Sequence, residues 1–298
     1  MRRTTRLREL IGRGGRPLVL PGAPNALTAR VVEQSGFDAV YVSGAGVSNT
    51  FLGMPDLGLL GMSELAAHVS AMADAVSVPL VVDADTGFGN SLNVQRTVRA
   101  LERAGAAGIQ IEDQVSPKKC GHFADKEIIG TAEMVGKIRA AVDARTDDDL
   151  VVIARTDARA VEGIDAACER AAAFSEAGAD ILFVEAPTSR QEMAHITRTV
   201  PGRHIANMVE GGLTPLLPTD ELGELGFSVA LYANAAMRGA VTGMRAVLDH
   251  LAKHGDTRNA QDLMISWADR QSLVNKPLFD ELDRRYADGS DSREADGR

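Results

Sequence analysis

Polar side chains recur at one kind of place in this sequence, directly after short apolar runs. Asp83-Ala84-Asp85 follows PLVV, Glu112-Asp113 follows GIQI, and Arg155-Thr156-Asp157 follows LVVIA. Glu185 follows ILFV, and Asn207 and Glu210 fall in HIANMVE. Acids gathered at this density would repel one another and hold their protons unless a cation relieved them. Asp83 and Asp85, two residues apart, share one side of a strand that runs through both. With Glu112 they compose an all-oxygen set suited to Mg²⁺, with Mn²⁺ as a substitute, because such ions take oxygen ligands and keep waters that a substrate can displace. Salt bridges to Lys or Arg at loop entries are the alternative for each acid singly, and their clustering favours the metal. Asp113 and Asp157 are expected to cap the helices that follow.

Three further groups bear on chemistry. Ser43-Gly44-Ala45-Gly46 is a small-residue turn whose backbone N–H groups suit a substrate carboxylate, and it is equally a tight strand-to-helix turn. Arg155 can fork onto a substrate carboxylate or neutralise Glu185 or Asp83. The segment Ser116-Pro117-Lys118-Lys119-Cys120-Gly121-His122 places a thiol beside two lysines, which depress a thiol pKa. Alone it reads as a solvated basic loop; beside an acidic rim, Cys120 becomes a proton donor.

These residues need a scaffold that gathers strand ends. Eight apolar runs (17–22, 38–44, 79–85, 108–113, 149–157, 180–186, 204–210 and 227–234) alternate with amphipathic segments. The runs are aliphatic without clean alternation, as in parallel strands buried on both faces. Several amphipathic segments end in Gly before the next run, a helix stop. Eight such units predict a (β/α)₈ TIM-type barrel over 1–250, with its active site at the C-terminal ends of the strands. An open doubly wound sheet is disfavoured, since no GxGxxG turn follows the first run. Residues 251–298 predict a C-terminal helical extension and a polar, disordered tail, DGSDSREADGR.

Composition restricts the partners. The 298 residues are 45% hydrophobic and 24% charged with a net charge of −9, a globular profile without a basic stripe for nucleic acid. No apolar run is long enough for a bilayer, and MRRTTRLREL leads into no signal-peptide apolar region. Two cysteines make no disulfide framework, and Cys168, in AACERAAAF, reads as a buried space-filler. A reducing cytoplasm is the expected compartment.

Taken together, YVSGAGVSNTFLGMPDLGL, VDADTGFGN, IEDQVSPKKCGH, IARTDARAVEG, FVEA and NMVEGGLTPLLPTDELGELGF resemble the isocitrate lyase/phosphoenolpyruvate mutase superfamily. The likeness is to its 2-methylisocitrate lyases, 2,3-dimethylmalate lyases and carboxyphosphonoenolpyruvate phosphonomutases. It implies a homotetramer, a dimer of dimers, with a helix exchanged between neighbouring subunits. It further implies that Asp85 contacts Mg²⁺ directly while Asp83 and Glu112 hold its waters. Ser43, Gly44, Ala45 and Arg155 would bind the 2-oxo acid portion, with Glu185 beside them. Gly121, His122 and Asn207 would hold the second product's carboxylate, and Cys120 would protonate the carbanion.

Retro-aldol-type cleavage of a 2-hydroxy polycarboxylate needs an alkoxide, a Lewis acid and a proton for the carbanion. Tyr41 is the candidate for deprotonating the hydroxyl. Arg238 falls where methylisocitrate lyases carry an arginine, as Arg270 does in the extension; each would pair with an additional substrate carboxylate or serve as ordinary surface charge. Val209 and YANAA depart from the methylisocitrate lyase pattern, which leaves the substrate open between methylisocitrate and a substituted malate. Phosphonomutase and oxaloacetate decarboxylase or hydrolase activities are the alternatives, and a catalytically silent binding barrel is the non-enzymatic one.

Overall fold

The structure is a computed structural model and describes residues 1–119, 121 and 126–287. Cys120, His122 and the tail 288–298 lie outside the described residues. Each of the eight apolar runs holds a strand: β1 Leu18–Ala23, β2 Val40–Val42, β3 Leu80–Asp83, β4 Gly108–Glu112, β5 Val151–Thr156, β6 Ile181–Val184, β7 Ile205–Asn207 and β8 Val229–Tyr232. All pair in parallel in the order β6-β5-β4-β3-β2-β1-β8-β7. A parallel bridge between Leu182 and His204 joins β6 to β7, and Leu182 N donates to Arg203 O at 2.9 Å, so the sheet curls into a nearly closed barrel. The expected (β/α)₈ architecture is present.

Two apolar layers explain why the strand sequences lack alternation. Leu20, Val81, Ile153, Phe183, Val229 and Leu231 face inward and fill the barrel. Val40, Val42, Leu80, Val82, Ile109 and Ile111 face outward against helices such as Ser91–Arg103 and Thr131–Ala144. Both faces of each central strand are dry, so both carry aliphatic side chains. Cys168 is buried in the outer layer, as expected of a space-filler. The charged N-terminus holds a helix that the sequence reading did not anticipate, Arg3–Gly12, whose Leu7 and Ile11 join the inner layer.

Local signals set the elements that carry the site. Asn90 caps the helix Ser91–Arg103 by accepting from Leu92 N and Asn93 N, while Asn93 Oδ1 accepts from Asn90 N. At Gly22 a Cβ would come within 1.8 Å of Ala233 O, so β1 and the chain after β8 approach only because this residue has no side chain.

The chain divides into two compact units, Met1–Arg238 and Gly239–Arg298, with the helix Ala235–His254 running through the division. Among the described residues the second unit holds Trp267–Leu273 and Lys276–Ala287 besides most of that long helix. Within it the Arg270 guanidinium stacks over the Trp267 ring at 4.1 Å.

Candidate active site

A cavity of about 250 Å³ opens at the C-terminal ends of the strands, within the first unit. Of the expected site residues it is lined by Tyr41, Ser43, Ala45, Asp83, Gly121, Arg155, Glu185 and Asn207. Strand ends meet there because parallel strands in one barrel all point the same way. Asp85, Glu112 and Gly44 adjoin these residues: a Cβ on Gly44 would lie 3.1 Å from Asp85 Oδ1 and 3.4 Å from Asp83 Oδ2, and Glu112 contacts Arg155. The turn after β2 is a short helical one, Gly44–Val47, capped by Ser43 Oγ, which accepts from Gly46 N at 3.1 Å.

The acids are brought together differently from the expected strand alternation. β3 ends at Asp83, and Asp85 lies beyond it with φ of 48°, a left-handed conformation that Asp tolerates better than most residues. Asp85 N donates to Asp83 Oδ1 at 3.2 Å, so a tight turn rather than a pleat pairs the two carboxylates. Ala186, after β6, is also left-handed, with φ of 57°. Non-glycine residues in this region store strain, and here they flank the cavity.

Electrostatics divide the rim into two ion clusters. In the first, Lys118 Nζ lies 2.6 Å from Asp56 Oδ1 and 3.0 Å from Asp85 Oδ1. Burial raises the Asp85 pKa to about 7, with Lys118 opposing and Asp83 adding to the rise. Burial works against the Lys118 charge, yet Asp85 and its neighbouring acids hold that pKa well above the usual lysine value. Lys118 therefore belongs to the acid cluster, which is more than the thiol-tuning role read from KKC. Asp56 carried no sequence signal, since MPDLG has no periodicity that would place it.

In the second cluster Arg155 is buried at the end of β5. Its Nε lies 2.9 Å from Asp157 Oδ2 and 3.3 Å from Glu112 Oε2, and its Nη1 lies 3.6 Å from Glu185 Oε2. The guanidinium also lies over Phe183, 5.3 Å from the ring centroid. Burial pushes the Glu112 carboxyl well up, with Arg155 opposing. For Asp157 burial is likewise the largest influence, but Arg155 and Lys126 together outweigh it and hold the carboxyl below its usual range. Asp113 and Asp157 do not cap helices as expected: the helix Ala158–Val161 gets no side-chain cap from Asp157. Asp113 instead accepts from Thr156 Oγ1, Asp157 N and Arg170 Nη1, which braces the chain under the cavity.

Tyr41 Oη donates to Gln110 Oε1 at 3.0 Å, and Gln110 Nε2 donates to Asp83 Oδ1 at 3.2 Å. Burial pushes the Tyr41 pKa well above its ordinary value, and the Asp83 charge adds to the shift. A phenol so held is a donor, which opposes the role of base. Gln110 was visible in retrospect as the polar residue inside the apolar run GIQI.

Asn207 Nδ2 donates to Glu185 Oε2 at 3.3 Å, and Ser43 Oγ donates to Asn234 Oδ1 at 3.2 Å. Arg238 does not line the cavity; its Nη1 donates to Glu210 O at 2.9 Å and to Glu210 Oε2 at 3.1 Å, and Glu210 does line it. Phe183, Val209, Leu231 and Ala233 form the apolar part of the wall.

Whether these residues fit a divalent cation turns on their unpaired oxygens. Among the described residues Glu112 Oε1 is buried without a hydrogen-bond partner, and so is Asp85 Oδ1 apart from its ion contact with Lys118. Among the described residues no three of His, Cys, Asp or Glu are gathered closely enough to hold a metal alone. The donor set fits an ion that keeps most of its waters, as Mg²⁺ does, and fits poorly an ion such as Zn²⁺ that is enclosed by protein ligands.

A parallel eight-stranded barrel with a small cavity at its C-terminal mouth is the architecture of a barrel enzyme for small molecules. The family model described as phosphoenolpyruvate phosphomutase matches residues 7–252, and the chain belongs to that family, within the phosphoenolpyruvate mutase/isocitrate lyase superfamily. The chain is 47% identical to a 2,3-dimethylmalate lyase of Eubacterium barkeri, over 97% of this chain and 100% of that protein. It is 44% identical to a 2-methylisocitrate lyase of Aeropyrum pernix, over 93% of this chain and 89% of that one. Among solved structures it is similar to phosphonopyruvate hydrolase in complex with oxalate and Mg²⁺, with a TM-score of 0.87, 32% identity, and coverage of 96% of this chain and 100% of that one.

Proposed function

We propose that this protein is a Mg²⁺-dependent carbon–carbon lyase that cleaves a methyl-substituted malate to a 2-oxo acid and a monocarboxylate. The observation that carries this reading is the mixed lining of the cavity, which sets the charged Asp83, Arg155 and Lys118 among the apolar Phe183, Val209, Leu231 and Ala233. The charged groups suit the 2-hydroxy acid end, and the apolar ones suit alkyl substituents. A third carboxylate finds less support, because Arg238, its expected partner, is engaged by Glu210. The similarity to a 2,3-dimethylmalate lyase agrees with this choice over methylisocitrate.

Cleavage begins as the substrate hydroxyl gives its proton to solvent water at the cavity mouth. The alkoxide electrons form the carbonyl of the 2-oxo acid, and the C2–C3 bonding pair passes to the other fragment as a carbanion stabilised by its carboxylate. A proton delivered to that carbon completes the monocarboxylate. Asp85 would ligate the metal and Asp83 and Glu112 would hold its waters; the bound ion supplies Lewis acidity to the emerging carbonyl oxygen. Arg155 and the Ser43–Ala45 backbone would orient the 2-oxo acid end. Cys120, on the KKCGH signature, is assigned the protonation of the carbanion, with Gly121, His122 and Asn207 on the product carboxylate. Tyr41, through Gln110, orients Asp83 rather than removing the hydroxyl proton.

Among the described residues no helix is long and apolar enough to cross a membrane. A cytoplasmic homotetramer with an exchanged helix completes the proposal.

The test is a panel of 2,3-dimethylmalate, 2-methylisocitrate, isocitrate and oxaloacetate, read by 2-oxo acid release with and without EDTA. Dimethylmalate is expected to be turned over with the highest kcat/KM, EDTA to abolish the activity, and Mg²⁺ to restore it. Cys120→Ser is expected to lower kcat by about 10²–10⁴-fold, as loss of a positioned acid does. Metal-independent activity that survives Cys120→Ser would sink the mechanism. Phosphonopyruvate turnover seen by phosphorus NMR in place of C–C cleavage would replace it with the phosphonomutase reading.

A further inference from the structure

Lys126 is a buried lysine whose ammonium has no substrate-facing role in the reaction above. Its side chain is 2% exposed, and its Nζ lies 2.6 Å from two acceptors, the Gly121 carbonyl and Asp157 Oδ1. Both acceptors lead to Arg155. Gly121 belongs to its lining, and its backbone is pressed against Arg155 and Glu185: a Cβ there would lie 2.3 Å from Arg155 Nη2 and 2.9 Å from Glu185 Cγ. Asp157 grips Arg155 through both oxygens, from Nε at 2.9 Å and from Nη2 at 3.1 Å.

The base of Lys126 is itself fixed. Val115 N donates to Glu127 O at 2.8 Å, and Ile129 N donates to Asp113 O at 2.8 Å. Around the bridge from Gln114 to Ile128 these bonds form a short antiparallel stem. Lys126 projects from the end of that stem.

We infer that Lys126 is a positioning residue of this site: by tying the Gly121 carbonyl to Asp157 it fixes the backbone that lines the cavity and the orientation of Arg155 together. Two consequences follow from charge and geometry. With Lys126 present, Asp157 is shared between two cations, which leaves more of the Arg155 charge to act on a substrate carboxylate. Without it, Asp157 competes fully for Arg155, and the Gly121 backbone loses the donor that holds it in place beside the guanidinium. A lysine serving only to neutralise Asp157 would influence stability without this link to Gly121.

The inference rests on the site being the one proposed above, so its test uses a probe that needs no turnover. Oxalate binding in the presence of Mg²⁺ is measured by calorimetry for the wild-type protein, Lys126→Met, Gly121→Ala and the double variant, with melting temperatures recorded alongside. Lys126→Met is expected to weaken oxalate about tenfold, and the double variant to bind no more weakly than the worse single one, because residues acting as a unit give non-additive losses. Should Lys126→Met fail to fold, Lys126→Ala with added propylamine takes its place. The amine is expected to restore affinity there, by supplying the missing ammonium. Wild-type oxalate affinity in Lys126→Met overturns the inference, as does a loss that is additive with Gly121→Ala or is not rescued in Lys126→Ala. Oxalate binding by a wild-type protein that cleaves no substrate of the panel overturns the proposed reaction and leaves this inference to the affinities. No oxalate binding at all overturns both.

Discussion

Asp85 and Tyr41 show how burial assigns roles to individual side chains. In the metal-free protein burial lifts the Asp85 pKa to about 7, so near neutrality much of it is protonated. A cation must displace that proton, because only the carboxylate ligates. Mg²⁺ affinity therefore rises with pH through about 7 and levels off above it, with protons released on binding. Calorimetry at pH 6 and pH 8, in buffers of different ionisation enthalpy, checks this, and Asp85→Asn is expected to abolish both the binding and its pH dependence. Tyr41 leads to the opposite expectation. Its proton is committed to Gln110, and burial holds it on the phenol. Tyr41→Phe is therefore expected to lower kcat by no more than about tenfold, whereas removal of a true general base costs about 10²–10⁴-fold. A loss in the larger range would return Tyr41 to the role of base.

At the scale of elements, the strand-and-helix plan was legible because each strand has both faces dry, and a dry strand must be written in aliphatic residues. The helix Ser91–Arg103 lies in one of the amphipathic segments, and its cap, Asn90, is supplied by the structure. Asn90→Ala removes the acceptor used by Leu92 N and Asn93 N. It is expected to cost about 1 kcal/mol, seen as a fall of about 2–4 °C in Tm, with the kinetic constants of the remaining folded protein unchanged. What was not legible lies where the chain leaves its elements. Asp85 reaches Asp83 by a left-handed turn, which no periodicity encodes. Asp56 comes from an irregular stretch and meets Lys118 only in three dimensions. Asp157 looked like a helix cap because it stands between a strand and a helix, but Arg155 and Lys126 claimed its carboxylate. Local pattern identifies the elements; long-range charge pairing decides what the residues between them do.

For the whole molecule the informative feature is the long helix Ala235–His254, none of whose residues is buried. Val241, Met244, Leu248 and Leu251 are spaced by three, four and three residues, which is one helical stripe, and they are between 38 and 60% exposed. In the second unit Trp267, Leu278 and Phe279 are exposed as well. An apolar stripe of this length is costly to leave in water, and burying such side chains is worth about 1.5–3 kcal/mol each. A net charge of −9 argues that general stickiness is not its purpose, since like-charged copies repel unless a specific surface overcomes the repulsion. The proposed subunit assembly accounts for the stripe, because a helix exchanged between neighbours would bury it. Sedimentation of the full chain is expected to give a tetramer. Met244→Glu together with Leu248→Glu would place two desolvated charges in the buried seam and is expected to shift the protein to smaller species with a lower Tm. Should the double variant remain tetrameric at the wild-type Tm, the stripe lies outside the assembly interface and another surface must hold the subunits together.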